Sequence, residues 1–394
     1  MFPEKSLAWG QSKSVIRELA AYGAARKAEL GAENVYDFSI GSPSVPAPPA
    51  VNETLIDLLT NTPSVVLHDY TPGVGLPSTR KAIAEDLNAR YNAGTAPELV
   101  YMTCGAAAGL IACCRGLLCP GEEAIAFAPF FPEYRVFVES AEGRLVIAPP
   151  LPNMQPDMAA FERAITEKTK LVIVNSPNNP SGVILTAESL SAIAAVLERA
   201  QEKYGHPIYL VSDEPYRELI FDGSSPLCVT HFYKNSIICY SFSKSLSLPG
   251  ERIGYLAVGG EMAEKEKVYA SLAGAARGCG YVNAPSLMQR LIERCLGMTS
   301  DISAYKRNRD LLYDGLTALG FDCVKPDGAF YLFMKCPIDD AKAFSDSAKK
   351  YELLLVPSDD FGVPGYVRIA YCVAESTIRN SMPAFRKLAE EYGL

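Results

Sequence analysis

Ser241-Phe242-Ser243-Lys244-Ser245-Leu246-Ser247-Leu248-Pro249-Gly250-Glu251-Arg252-Ile253-Gly254 follows directly on the apolar run Ile237-Ile238-Cys239-Tyr240. A short apolar run bounded by polar turn residues reads as a buried strand, so Lys244 lies where a strand ends. It stands among serines, with Arg252 and Gly254 close behind. An amine flanked by hydroxyls and by a guanidinium able to hold a phosphate suits the capture of a phosphorylated aldehyde as a Schiff base. The competing reading is a solvated, serine-rich surface loop. The residues at the other strand ends of the chain separate the two.

Working outward, short apolar runs recur at 99–103, 124–128, 145–148, 171–175, 208–213, 236–241 and 253–258. Most are separated by helix-length segments such as 106–118, 158–166 and 187–204. Buried strands alternating with helices predict a largely parallel α/β sheet covered on both faces. The last run follows the Lys244 loop with no helix between, which leaves an antiparallel direction open for it.

Ligands of such sheets bind at the carboxyl ends of the strands. The first run ends in Cys104-Gly105-Ala106-Ala107, small residues that open a helix and expose backbone N–H groups to an anion. The next ends in Pro129-Phe130-Phe131-Pro132-Glu133-Tyr134, an aromatic surface. Later runs end in Asn175-Ser176-Pro177-Asn178-Asn179-Pro180-Ser181-Gly182, in Asp213-Glu214-Pro215-Tyr216 and in the Lys244 loop. Singly, Asp213 reads equally as a capping residue, Phe131 as core and Asn179-Pro180 as a turn. Jointly they supply a phosphate cradle, a ring face, an amide, a carboxylate with a phenol, and a lysine. Those are the groups that pyridoxal phosphate requires.

The composition bounds the class of protein. At 394 residues, 48% hydrophobic and 21% charged, the chain has the make-up of a globular protein with room for two domains. The formal net charge is −8 with no basic block, so neither nucleic acid nor an anionic membrane is an expected partner. No apolar run approaches the roughly 20 residues of a spanning helix. Met1 to Ser6 lacks the pattern of a signal peptide, so the expected location is cytoplasmic. The 11 cysteines form no C-x-x-C pair and read as reduced thiols, and the 3 histidines offer no zinc spacing. Gly73-Val74-Gly75-Leu76-Pro77-Ser78 falls one glycine short of a dinucleotide fingerprint.

From about residue 35 to the end the chain resembles the fold type I pyridoxal-phosphate aminotransferases of class I/II, the group that includes aspartate, aromatic and alanine aminotransferases. The motifs that carry the resemblance are N-x-P-x-N-P-[ST]-G at Asn175 to Gly182 and D-E-x-Y at Asp213 to Tyr216. S-x-S-K with a following arginine, from Ser241 to Arg252, and G-Y-V-R-I at Gly365 to Ile369 complete them. The resemblance implies a large domain at 45–285 with a seven-stranded, mostly parallel sheet. A smaller α/β domain would form from 1–44 and 286–394.

It also implies roles. Lys244 would bind the aldehyde of pyridoxal 5'-phosphate and shuttle the substrate proton, and Asp213 would hold the pyridine nitrogen protonated. Tyr216 and Asn179 would reach the phenolic oxygen, and Phe131 would stack on the ring. Gly105, Ala106, Ala107, Ser241, Ser243 and Arg252 would surround the phosphate. Tyr70 would reach it from the neighbouring subunit, implying a homodimer with shared sites. Arg368 would take the substrate α-carboxylate, with Gly41 over the substrate; no metal is expected.

The C-terminal part carries helical periods over 286–317, strand-like runs at 329–334, 353–356 and 366–371, and helical segments near 340–351 and 376–392. Pro383 is expected to kink the last helix or mark a restart. Near the N-terminus a helical period over 12–31 leads into a proline-rich arm.

The expected activity is transfer of an amino group between an L-amino acid and a 2-oxo acid by a ping-pong cycle, of aspartate or aromatic type. Two departures bear on the donor. Ala107 stands where one aspartate branch has a lysine for the distal carboxylate, and Gly278, beside Arg277, where another has an arginine from the neighbouring subunit. The alternatives are a carbon–sulfur β-lyase on the same scaffold and, more remotely, a non-catalytic regulator that binds the cofactor.

Overall fold

The computed structural model describes residues 2–12 and 14–394. After a two-residue strand β1 (Tyr36–Asp37), the central sheet is built from β2 (Val100–Thr103), β3 (Glu123–Phe127), β4 (Arg144–Ala148), β5 (Thr169–Asn175), β6 (Tyr209–Asp213), β7 (Ser236–Ser241) and β8 (Gly254–Val258). Their order is β2-β8-β7-β6-β5-β3-β4. Neighbours run parallel from β7 through β6, β5 and β3 to β4, and β8 is antiparallel to both β7 and β2. Between β7 and β8 lie only the four-residue helix Phe242–Ser245 and a 3-10 turn, so the chain doubles back alongside β7 instead of crossing over.

Every residue of β7 is buried. Its side chains alternate between two cores: Ile237 and Cys239 join Cys113 and Ile173 on one face, and Ile238 and Tyr240 join Leu197 and Val172 on the other. The helix Ala106–Leu117 lies close on the first face because residue 109 has no side chain; a Cβ there would sit 2.9 Å from Cys239 Sγ. On the second face the helix Ala187–Tyr204 begins where the Thr186 side chain accepts from the Ser189 N–H and ends at Gly205, whose φ is 70°.

A second sheet follows, made of β9 (Cys323–Val324), β10 (Tyr331–Lys335), β12 (Val356–Pro357) and β13 (Tyr366–Ala370), in the antiparallel order β12-β13-β10-β9. It packs with the helices Ile302–Ala318 and Glu375–Glu391 around Phe38, Tyr305, Phe330, Phe344 and Phe385. The run at 353–356, expected as one strand, is divided: β11 (Leu353–Leu354) pairs in parallel with β1, and β12 pairs with β13. Its two halves therefore belong to different sheets. Pro383 stands inside a single helix, Glu375–Glu391, so of the two outcomes expected for it, a kink or a restart, the restart does not occur. Several elements had no counterpart in the sequence pattern, among them the helices Glu4–Gln11, Glu133–Ser140 and Lys265–Gly278 and the strand β9.

Candidate active site

Five strand ends converge on one rim, where a cavity of about 320 Å³ opens. Every predicted site residue except Gly105 and Tyr70 lines it. Gly105 lies just behind the wall: it caps the helix Ala106–Leu117 with φ 82°, and a Cβ there would come 2.6 Å from Arg252 Nη2. Glycine thus lets the Arg252 guanidinium lie over the helix N-terminus, where the first N–H groups have no partner within the helix. Tyr70 is 90% exposed and does not line this chain's cavity. Arg277, at the exposed end of the helix Lys265–Gly278, does not line it either.

The end of β6 is fixed from several sides. Tyr134, from the helix after β3, donates to Asp213 Oδ2 at 2.6 Å, and the Asn175 amide donates to the Asp213 backbone carbonyl at 2.8 Å. Asp213 Oδ1 is buried with no hydrogen-bond partner. Burial pushes this carboxyl up to about 7, against the opposing effect of the Tyr134 hydrogen bond. Beneath it, Arg217 donates to Glu214 at 2.6 Å and to Tyr255 at 2.9 Å, its guanidinium packed on the rings of Tyr91 and Tyr240. The Tyr240 hydroxyl in turn lies 2.8 Å from Ser245 Oγ, beside Lys244. This buried network ties the turn that carries Asp213 to the turn that carries Lys244.

Lys244 lies in the helix Phe242–Ser245, whose first turn is capped by the Ser241 hydroxyl accepting from the Ser243 N–H at 3.3 Å. Its Nζ donates to the Gly41 carbonyl at 2.8 Å and stands 5.3 Å from the centre of the Phe330 ring. Burial lowers the ammonium to about 8, so a neutral amine is accessible near physiological pH.

Across the cavity Arg368 is 2% exposed. Its Nη1 donates to Asn179 Oδ1 at 3.2 Å and its Nη2 to the Ser39 carbonyl at 2.6 Å, while Nε has no partner. Asn179 is itself held through its backbone N–H, which donates to Asn175 Oδ1 at 2.7 Å.

These residues fit pyridoxal phosphate. An orphaned buried carboxylate oxygen suits a protonated pyridine nitrogen, and a helix N-terminus beside Arg252, Ser241 and Ser243 suits a phosphate. Phe131 offers a ring face, and the orphaned Arg368 Nε suits a second, substrate-borne anion. The wall and support residues that sequence reasoning did not assign include Ile16, Leu110, Tyr331 and the Asp213 partner Tyr134, the last noted only as part of an aromatic run. Tyr331 carried a weak signal, a phenol in an otherwise apolar strand, and Ile16 carried none.

Comparison with known proteins gives the same picture. The family description Aminotransferase class I and II matches residues 33–385. An aspartate/prephenate aminotransferase of Thermus thermophilus is 33% identical over 334 residues, 81% of this chain and 83% of its own length. Among solved structures, an aminotransferase from Eubacterium rectale superposes with a TM-score of 0.98 at 49% identity over 100% of both chains. Aspartate aminotransferase of Thermus thermophilus with maleate does so with a TM-score of 0.87 at 27% identity, over 98% of this chain and 99% of that one.

Proposed function

The chain belongs to the class I and II aminotransferases, enzymes that work with pyridoxal 5'-phosphate, and from that premise we propose the roles of its residues and the class of its amino donor. The observation that carries the reading is a buried carboxylate with one unpartnered oxygen, on the same cavity as an amine held by burial near 8. When bound, the cofactor supplies a sink for the electron pair left as the substrate α-proton departs.

The chain's own residues do the rest. Lys244 would hold the cofactor at Nζ and, once a substrate amine has taken its place, would act as the base that removes the substrate α-proton and then as the acid that delivers it to the cofactor carbon. Asp213 keeps a proton on the pyridine nitrogen, and Tyr134 keeps Asp213 in place. Arg368, oriented by Asn179 and the Ser39 carbonyl, would bind the substrate α-carboxylate in the same cavity as Lys244. Tyr216 and Asn179 reach the phenolic oxygen, Phe131 covers the ring, and Gly105, Ala106, Ala107, Ser241, Ser243 and Arg252 hold the phosphate. A 2-oxo acid enters the same place in the second half of the ping-pong cycle.

The donor we propose is an amino acid with a neutral side chain, aromatic ones included. Among the described residues the cations on the cavity wall are Lys244, Arg252 and Arg368, and each already has a duty. Of the other residues that this chain contributes to the wall, Ile16, Ala107, Leu110, Phe131 and Tyr331 carry no positive charge to offset a second carboxylate. Rates of cofactor conversion by single amino acids, with no 2-oxo acid present, test this. Faster conversion by phenylalanine, tyrosine or alanine than by aspartate is expected. Aspartate fastest of all overturns it and points to Arg277 of a second copy.

The same reading includes a homodimer with shared sites. Ile56, Leu59, Val65 and Tyr70 leave an exposed apolar strip along 56–70, and Tyr70 is available to a neighbour's cavity. It also includes a cytoplasmic location, favoured by cysteines that are all free and largely buried. No helix among the described residues is long and apolar enough to cross a membrane. The division into a large domain at 45–285 and a small one at 1–44 and 286–394 is kept. One adjustment is favoured by packing: the helix Ser286–Cys295 buries Leu291 and Ile292 beside Val51 and Leu58, so the line is better drawn after it.

A further inference from the structure

Tyr331 touches each side of the cavity and has no part in the roles above. It starts β10, opposite Ala370 of β13, with Arg368 diagonal to it on the same face. Its hydroxyl lies 3.0 Å from the Tyr216 hydroxyl. Its ring centre lies 4.7 Å from the Arg368 guanidinium carbon, whose other neighbouring ring is Phe361 at 5.3 Å. The same hydroxyl presses on Gly41, where a Cβ would come within 1.9 Å of it, and Gly41 is the residue whose carbonyl holds Lys244 Nζ. One phenol therefore adjoins the groups proposed for the cofactor's phenolic oxygen, the substrate carboxylate and the lysine.

We propose that Tyr331 is a positioning residue with two separable duties: its hydroxyl aims the Tyr216 hydrogen at the cofactor's phenolic oxygen, and its ring braces Arg368 for the substrate carboxylate. The inference rests on the roles proposed for Tyr216 and Arg368. Two hydroxyls 3.0 Å apart share one hydrogen bond, and either can donate. Once Tyr216 donates to the phenolic oxygen, Tyr331 is the donor into Tyr216, and a donor in a chain strengthens the next one. That favours the deprotonated phenolic oxygen. The ring acts separately, because a guanidinium over an aromatic face is held by cation–π attraction whether or not the ring bears a hydroxyl.

The test uses the cofactor-loaded enzyme and two variants. Tyr331→Phe keeps the ring and loses the hydroxyl, while Tyr331→Leu loses both. For Tyr331→Phe, the pH midpoint of the bound cofactor's visible absorbance rises by about half a unit, less than in Tyr216→Phe but in the same direction. Its KM for the amino donor stays within about twofold of wild type. Tyr331→Leu shows that same rise together with a KM roughly tenfold higher. A midpoint in Tyr331→Phe equal to that of wild type overturns the hydroxyl's duty, and an unchanged KM in Tyr331→Leu overturns the ring's. A wild-type protein that takes up the cofactor but converts no amino acid contradicts the proposed function itself, a result separate from either variant's.

Discussion

Tyr134 donates its hydroxyl hydrogen to Asp213 Oδ2 at 2.6 Å, and Asp213 Oδ1 is left buried without a partner beside the cavity that holds Lys244. A carboxylate in that position is costly unless a cation meets it. In the protein without its cofactor, burial sets the carboxyl at about 7, far above the unfolded value near 3.9.

The first prediction follows from that difference. A carboxyl whose folded value is raised binds its proton more tightly when folded. It therefore contributes stability at low pH, and that contribution is lost as pH rises from about 4 through about 7. Above pH 8, cofactor-free Asp213→Asn is expected to be more stable than cofactor-free wild type by roughly 3 kcal/mol, with the gap closing toward pH 5. Adding pyridoxal phosphate should reverse the order at pH 8. Urea melts at the two pH values, with and without cofactor, measure it.

Lys244 gives a kinetic counterpart. With burial holding its ammonium near 8, the neutral amine that attacks an aldehyde is already plentiful at pH 8. Capture of pyridoxal phosphate by the cofactor-free protein should accelerate with a midpoint near pH 8, not near the 10.4 of a free lysine. Stopped-flow absorbance reads the rate, and Lys244→Ala should show no such phase.

Arg368 is the bidentate partner expected for an α-carboxylate, with Nε unpartnered and its two other nitrogens engaged by Asn179 and Ser39. A lysine there keeps the charge but loses the planar fork. Arg368→Lys should lower kcat/KM for the amino donor roughly a hundredfold, about 2.7 kcal/mol, while leaving cofactor affinity within a few-fold of wild type.

Glu214 and Arg217 are each 4% exposed and pair at 2.6 Å beneath the site. Removing only the arginine strands a buried carboxylate, so Arg217→Met should cost about 3–5 kcal/mol in urea denaturation. The double variant Glu214→Gln, Arg217→Met should recover a large part of that loss.

Much of this was legible in the chain because the chemistry is concentrated where apolar runs stop. Asp213 ends a strand, Lys244, Asn179 and the small residues at Gly105 to Ala107 follow one, and strands running the same way bring those ends together without further instruction. What stayed hidden depends on contacts between distant segments. The run at 353–356 looks like one strand, yet its halves are divided by partners, Tyr36 on one side and Arg368 on the other, that no local period reveals. Tyr331 and Tyr134 are unremarkable tyrosines until the fold sets them against Tyr216 and Asp213. Ile16, from the N-terminal helix Val15–Leu30, reaches the cavity wall only through tertiary packing.

The measurement that bears most directly on the central claim is chemical. The cofactor-loaded protein is reduced with borohydride, digested, and the peptides are weighed. A pyridoxyl group fixed on the peptide that contains Lys244, and absent from the Lys244→Ala protein, is the predicted result. A label on another lysine, or none at all from a preparation that has taken up pyridoxal phosphate, contradicts the account.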